Sequence, residues 1–328
     1  WWGQSLVNAV QKDGNPVDQR IRFTHAVVRE GSASGDFADR QRLVRVPTLE
    51  EALALSEVEA IVLATPHELH IPQVRAALLA GKHVFVEKPL ASDGARAREA
   101  LELARERQLV LSVGYNRRFL PGAQVLRDFA RRAPTDGLIH VDAHFATDSG
   151  LRSAPGSWRA EEAGPLSAMT AMGAHVVDFL IFLCGPIEQV RTTSARRAIA
   201  VAADDLVRVD LHFSSGATAS ITLVLTSGRQ WRIQVFRVGE WATLRDERSL
   251  ETCRGSGAVE TTLFEAFDTL RAELESFAGA VRGETLLVFT EEELVHGAEV
   301  FEAIMVSHRE GGRRVEIDQH ASRAGQAR

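Results

Sequence analysis

Residues 58–64, 83–86 and 109–113 are nearly continuous apolar runs, and the segments between them, 71–80 and 91–108, carry apolar residues at helical spacing. Ahead of them, 21–29 reads as a strand with buried positions and 47–54 as a short helix. Residues 3–10 read as a helix opening without the strand that should precede it. Gly81 closes one helix and Thr65-Pro66 stops one strand. Continuous apolar strands alternating with helices suit a parallel sheet covered on both faces. Helical crossovers with the usual handedness make such a sheet doubly wound, the α/β arrangement of a Rossmann-type domain.

The rhythm changes after residue 114. A helix is predicted over 121–130 and a partly alternating strand over 137–146. Residues 147–170 show no clear period and form a candidate active-site loop. A compact helix over 173–183 ends at Gly185, and strands follow at 187–193, 206–213, 217–225, 232–238 and 242–245. Turns as short as Ser214-Ser215-Gly216 favour antiparallel neighbours, so the second domain is expected to be α/β with a large open sheet, mixed or mostly antiparallel. Helices over 264–280 and 291–308 and a strand at 314–317 complete the pattern. The resulting division is a dinucleotide-binding domain at 1–114, truncated at its start, and a substrate-binding and oligomerisation domain at 115–317. Helix 291–308 could pack back on the first domain in this scheme, and 318–328 is a flexible tail.

Composition narrows the function classes. The formal charge of −6 argues against a general polyanion-binding surface, so nucleic acid is not an expected partner. No run approaches the eighteen apolar residues of a membrane span. Of the two cysteines, Cys184 lies in an apolar run and reads as a buried thiol, and neither belongs to a C-x-x-C pattern. A cytoplasmic setting is expected. Trp1 stands where an initiator Met would, so the first strand and most of a glycine-rich loop are expected upstream, with a targeting segment left open.

Ligands of doubly wound sheets bind beyond the carboxyl ends of the strands. Thr65-Pro66-His67, Glu87-Lys88-Pro89 and Tyr115-Asn116-Arg117-Arg118 all fall at such ends. The Lys88 ammonium could polarise a substrate oxygen beside a nicotinamide, or be a surface lysine at a strand end. His175 could move a proton near neutral pH, or be a histidine packed at a helix start. His140, Asp142 and His144 alternate along one strand and share a face. They read as a polar sheet surface, and no metal site is expected.

In this order, the segments resemble the Gfo/Idh/MocA oxidoreductase family, which includes glucose-fructose oxidoreductase and inositol dehydrogenase. Glu87-Lys88-Pro89 matches an E-K-P motif, and Thr65-Pro66-His67-Glu68-Leu69-His70 is similar to T-P-N-x-x-H with His67 in place of Asn. Tyr115 to Phe119, Trp158-Arg159 and Gly173-Ala174-His175-Val176-Val177-Asp178 match further landmarks. Trp1-Trp2-Gly3 resembles the end of a G-x-G-W-W-G loop.

The resemblance implies hydride transfer between NAD or NADP and a sugar, polyol or cyclic alcohol or ketone, with Lys88 and His175 catalytic and Thr170 and Asp178 in support. It implies cofactor contacts from Trp2, Gly3, Arg29, Thr65, Pro66, His67, His70, Glu87, Lys88 and Asn116. Substrate contacts are implied for Lys88, Arg118, Trp158, Arg159 and His175. Arg29 favours NADP through an extra phosphate, whereas the adjacent Glu30 would favour NAD. Ala171 stands where many members carry an Asp, which leaves a noncatalytic nicotinamide-binding regulator or structural protein as the alternative. A small polar substrate and a homodimer or homotetramer are the implied partners.

Overall fold

The computed structural model describes residues 2–17, 20–28, 34–133, 137–152, 168–199 and 204–317. They form two compact units. The first comprises Trp1–Phe119 and Asp268–Glu291, and the second Leu120–Phe267 and Glu292–Arg328.

The first unit opens with helix α1 (Trp2–Val10), which buries Leu6, Val7 and Val10. A hairpin of β1 (Gln11–Lys12) and β2 (Asn15–Pro16) follows. Its Asp13-Gly14 turn has φ of 50° and 78°, the left-handed geometry that a two-residue hairpin requires. Strands β3 (His25–Val27) and β4 (Val44–Val46) pair in parallel around α2 (Ser34–Arg40). Next come α3 (Leu49–Ala54), β5 (Ala60–Leu63), α4 (His70–Leu79), β6 (His83–Val86), α5 (Gly94–Glu106) and β7 (Leu111–Val113). Thr48 and Asp93 cap α3 and α5 by accepting from the backbone N–H three residues on. Strands β5, β6 and β7 form a parallel sheet with β6 in the centre. Val84, Phe85 and Val86 are fully buried, as a strand covered on both faces must be.

The second unit begins with α6 (Pro121–Arg131) and β8 (Leu138–Ala146), followed later by α7 (Ala174–Cys184). The strands β9 (Ile187–Ala195), β10 (Leu206–Phe213), β11 (Thr218–Val224), β12 (Gln230–Arg237), β13 (Glu240–Arg245), β14 (Ser249–Arg254) and β15 (Glu260–Leu263) come next. They join a nine-stranded sheet in which only β8 and β11 pair in parallel. In β10, Val207, Val209, Leu211 and Phe213 are buried while Arg208, Asp210 and His212 are exposed. The buried face shares one core with Leu126 of α6 and with Phe179, Leu180 and Leu183 of α7.

The chain then returns to the first unit. Helix α8 (Thr269–Val281) packs Leu274 and Phe277 against Leu6, Val10 and Phe85, and the Phe85 and Phe277 rings meet edge-on at 5.9 Å. Helix α9 (Glu291–Arg309) instead places Val300, Phe301, Ala303 and Ile304 in the second core, and β16 (Val315–Glu316) closes the large sheet beside β9. The segment that returns to the first unit is 268–291, where the apolar stripe of α8 finds its partner in α1 and β6.

Candidate functional site

Chemistry-bearing side chains gather beyond the carboxyl ends of β5 and β6. The Lys88–Pro89 peptide is cis, and Lys88 is half-buried. His70, the first residue of α4, is fully buried. Its Nδ1 lies 2.8 Å from the Pro89 carbonyl and its Nε2 3.0 Å from the Thr65 carbonyl. His70 was expected among the cofactor contacts. Its ring is instead held between two backbone turns, one of which carries Lys88. Thr65 donates its hydroxyl to Gln73 at 2.6 Å.

His67 differs from its neighbour. Its Nδ1 is buried without a hydrogen-bond partner, and its ring meets that of His70 edge-on at 5.5 Å. Burial, followed by the charges of His70 and Lys88, lowers its pKa to about 4, so the ring is neutral at pH 7.

Glu87 faces inward. It is buried, and its Oε1 accepts from the indole N–H of Trp2 at the start of α1. A Cβ at Gly114 would stand 3.1 Å from the same oxygen, so the carboxyl lies directly over the residue after β7. Burial raises its pKa to about 7, against the opposing effects of Lys88 and the Trp2 hydrogen bond. The side chain of Glu87, expected among the cofactor contacts, links α1 to the end of β6. Gly3 brings α1 close to the sheet, since a Cβ there would lie 3.6 Å from that of Ala64.

Two more of the expected site residues make contacts within the first unit. Asn116 donates to the Thr269 hydroxyl at 2.8 Å. Arg118 is only 1% exposed, donates to the Val288 carbonyl at 3.3 Å and lies 5.8 Å from the Phe289 ring centre. Both side chains contact the returning segment.

A residue that sequence reasoning missed is Glu273 on α8. It is 3% exposed, and neither carboxyl oxygen has a hydrogen-bond partner. Burial and then the charges of Glu87 and Asp268 hold its pKa well above the usual carboxylate range. The signal was present in the chain, because Glu273 interrupts the stripe Leu270, Leu274, Phe277 where an apolar residue belongs.

In the second unit, His175 is the second residue of α7, half-buried, with the buried Asp178 one turn further on. A π-turn over Met169–Gly173 precedes it and contains Thr170 and the exposed Ala171. Gly173 has no room for a side chain: a Cβ would stand 2.5 Å from Met169 Cε and 3.3 Å from Leu223 Cδ1. The glycine therefore lets the π-turn and β11 pack beneath the start of α7. His140, Asp142 and their neighbours form a cross-strand network, with His140 Nδ1 2.7 Å from the Thr218 hydroxyl and Ser220 donating to Asp142 at 2.5 Å. Among the described residues, no group of three His, Cys, Asp or Glu side chains could hold a metal ion. Arg29, Trp158 and Arg159 lie outside the described residues, as does most of the candidate loop.

The first unit fits a nicotinamide dinucleotide. The opening of α1 has backbone N–H groups without helical partners, and Gly3 allows close approach there. Lys88 and the unpartnered Nδ1 of a neutral His67 stand at the ends of neighbouring parallel strands.

The profile of an oxidoreductase family with an NAD-binding Rossmann fold matches residues 3–115, and that of the GFO/IDH/MocA C-terminal domain matches 137–244. An inositol 2-dehydrogenase of Rhizobium meliloti is 30% identical over 251 residues, 72% of this chain and 74% of that protein. An uncharacterized oxidoreductase of Synechocystis sp. is 29% identical over 209 residues, 61% of this chain; the match spans little more than half, 56%, of that relative. A crystal structure from Desulfitobacterium hafniense, assigned as an NADPH-dependent oxidoreductase, superposes with a TM-score of 0.85 at 22% identity, covering 96% of this chain and 94% of that one. That likeness bears on the fold. Among the described residues, no helix is long and apolar enough to cross a membrane.

Proposed function

This chain belongs to the Gfo/Idh/MocA oxidoreductase family, and from that premise we propose that it is a nicotinamide-dependent dehydrogenase or reductase of a sugar, polyol or cyclic alcohol or ketone. The observation that carries the proposal is the placement of Lys88 at the end of the buried strand β6, in a turn that His70 fixes by its contact with the Pro89 carbonyl. Similarity to the Rhizobium inositol 2-dehydrogenase makes cyclic polyols the first class to try.

The bound nicotinamide would supply the carbon that exchanges hydride with substrate. In this reading the start of α1, at Trp2 and Gly3, takes the pyrophosphate. Thr65, Pro66 and His67 border the nicotinamide end. Arg29 pairs with the additional phosphate of NADP, whereas a contact from Glu30 would select NAD. As an alcohol is oxidised, its hydroxyl proton passes to His175 and the Lys88 ammonium hydrogen-bonds the oxygen as negative charge develops on it. In reduction the same proton returns from His175 to that oxygen. Asp178 orients the imidazole from the same helical face, and Thr170 contributes a hydroxyl where Ala171 offers none. A homodimer or homotetramer formed through the open face of the large sheet completes the proposal.

Initial rates with NAD⁺ and NADP⁺ on inositols, monosaccharides and cyclic diols test it. Turnover that Lys88→Ala abolishes is expected. Folded protein that binds nucleotide but turns over no member of the panel would contradict the enzymatic reading.

A further inference from the structure

Two buried carboxyl groups belong to the first unit, one following β6 and one on α8, the helix that packs on β6 through Phe277 and Phe85. Glu87 has partners: the Trp2 indole N–H donates to it and Lys88 stands beside it in sequence. Glu273 has none. Among the described residues no cation pairs with it. Helix α1 has no charged residue, and its Trp2 indole N–H donates to Glu87. Asp268, at the N-cap of α8, adds a further negative charge. On α8 itself, Arg271 is engaged by Glu275 at 2.6 Å. In the turn Asn116–Phe119, which packs on α8, Arg118 is directed to the Val288 carbonyl, and Arg117 is the other cation. Two carboxylates cannot both be ionised at low cost in so dry a site. Glu87, with an N–H donor and a neighbouring ammonium, ionises first. Its charge then opposes ionisation of Glu273.

We propose that Glu273 is a positioning residue: it keeps its proton in the folded protein and leaves the single negative charge of the pair on Glu87, where that charge fixes the Trp2 indole and the opening of α1. The inference rests on the reading of that opening as the nucleotide loop. A second charge at Glu273 would push α8 away from the end of β6 and loosen the Trp2 contact, so nucleotide affinity should fall as the proton is lost.

The sign of the pH effect follows. A carboxyl whose proton is held more tightly in the folded than in the unfolded chain stabilises fully below its ordinary value of 4.5, and that contribution is lost as pH rises toward the folded value. Glu273→Gln keeps the shape and cannot ionise. Melting without nucleotide should therefore show E273Q equal to wild type near pH 5, with the wild type falling at least ~3 °C further by pH 9. NADH or NADPH affinity should drop with pH in the wild type and stay flatter in E273Q. Parallel melting profiles for wild type and E273Q would overturn the proposal, as would nucleotide affinity that falls equally with pH in both proteins. If wild type binds neither nucleotide but the melting profiles diverge, the proton assignment stands and the nicotinamide reading fails.

Discussion

The two sheets place their polar residues by opposite rules. In the first unit, β5, β6 and β7 are short and, apart from His83 and Ser112, apolar, so most polar side chains lie beyond the strand ends. Lys88, Glu87, His67 and His70 occupy those positions. In the second unit, β10 and its neighbours alternate, and histidines, arginines and aspartates are spread along one whole face. A polar residue at a strand end of the first sheet therefore marks a candidate position. In the second it does not, and His175 stands out only through its place after the π-turn and Gly173.

The strongest break of this contrast is Lys88→Ala. It should lower kcat by ~10³ or more while NAD(P)H affinity stays within about fivefold and melting is little changed. A large loss of stability instead would make Lys88 part of the scaffold. Phe179→Ala should do the opposite. Phe179 packs against Phe182 and Trp231 in the second core, and its truncation should cost about 3–5 kcal/mol in denaturant melts. Nucleotide binding by the folded fraction should persist, and its disappearance would show that the units do not hold their structure separately. His175→Gln is expected to reduce kcat by about 100-fold and to flatten its dependence on pH, since the amide cannot carry the proton. An unchanged pH profile would leave His175 a packed histidine. The smallest effect belongs to Asp93→Ala, which removes the α5 cap and should cost about 1 kcal/mol with kinetics unaffected.

Much of the fold was legible because local pattern decided it. The run at 83–86 is β6, 206–213 is β10, and 291–308 lies within α9. The hairpin of β1 and β2 was missed although Asp13-Gly14 signals it, because its strands are only two residues long. Strand β15 is exposed at every position, so no apolar alternation marks it; its place is fixed by backbone pairing to β14. The destination of α8 is a choice between two possible partners for one stripe, which local periodicity does not encode. Within the site, position was easier to read than orientation. Glu87, Asn116 and Arg118 stand beside the strand ends as expected, yet their side chains turn inward to Trp2, Thr269 and Val288. The residue types alone do not distinguish a polar group offered to a ligand from one holding a neighbouring segment.

The central claim is that the first unit binds a nicotinamide dinucleotide, and titration of the protein with NADH and with NADPH, followed by nucleotide fluorescence, tests it most directly. Saturable binding of at least one is predicted, and preference for NADPH that Arg29→Ala removes would assign the extra phosphate to Arg29. Folded protein that binds neither nucleotide would contradict the account.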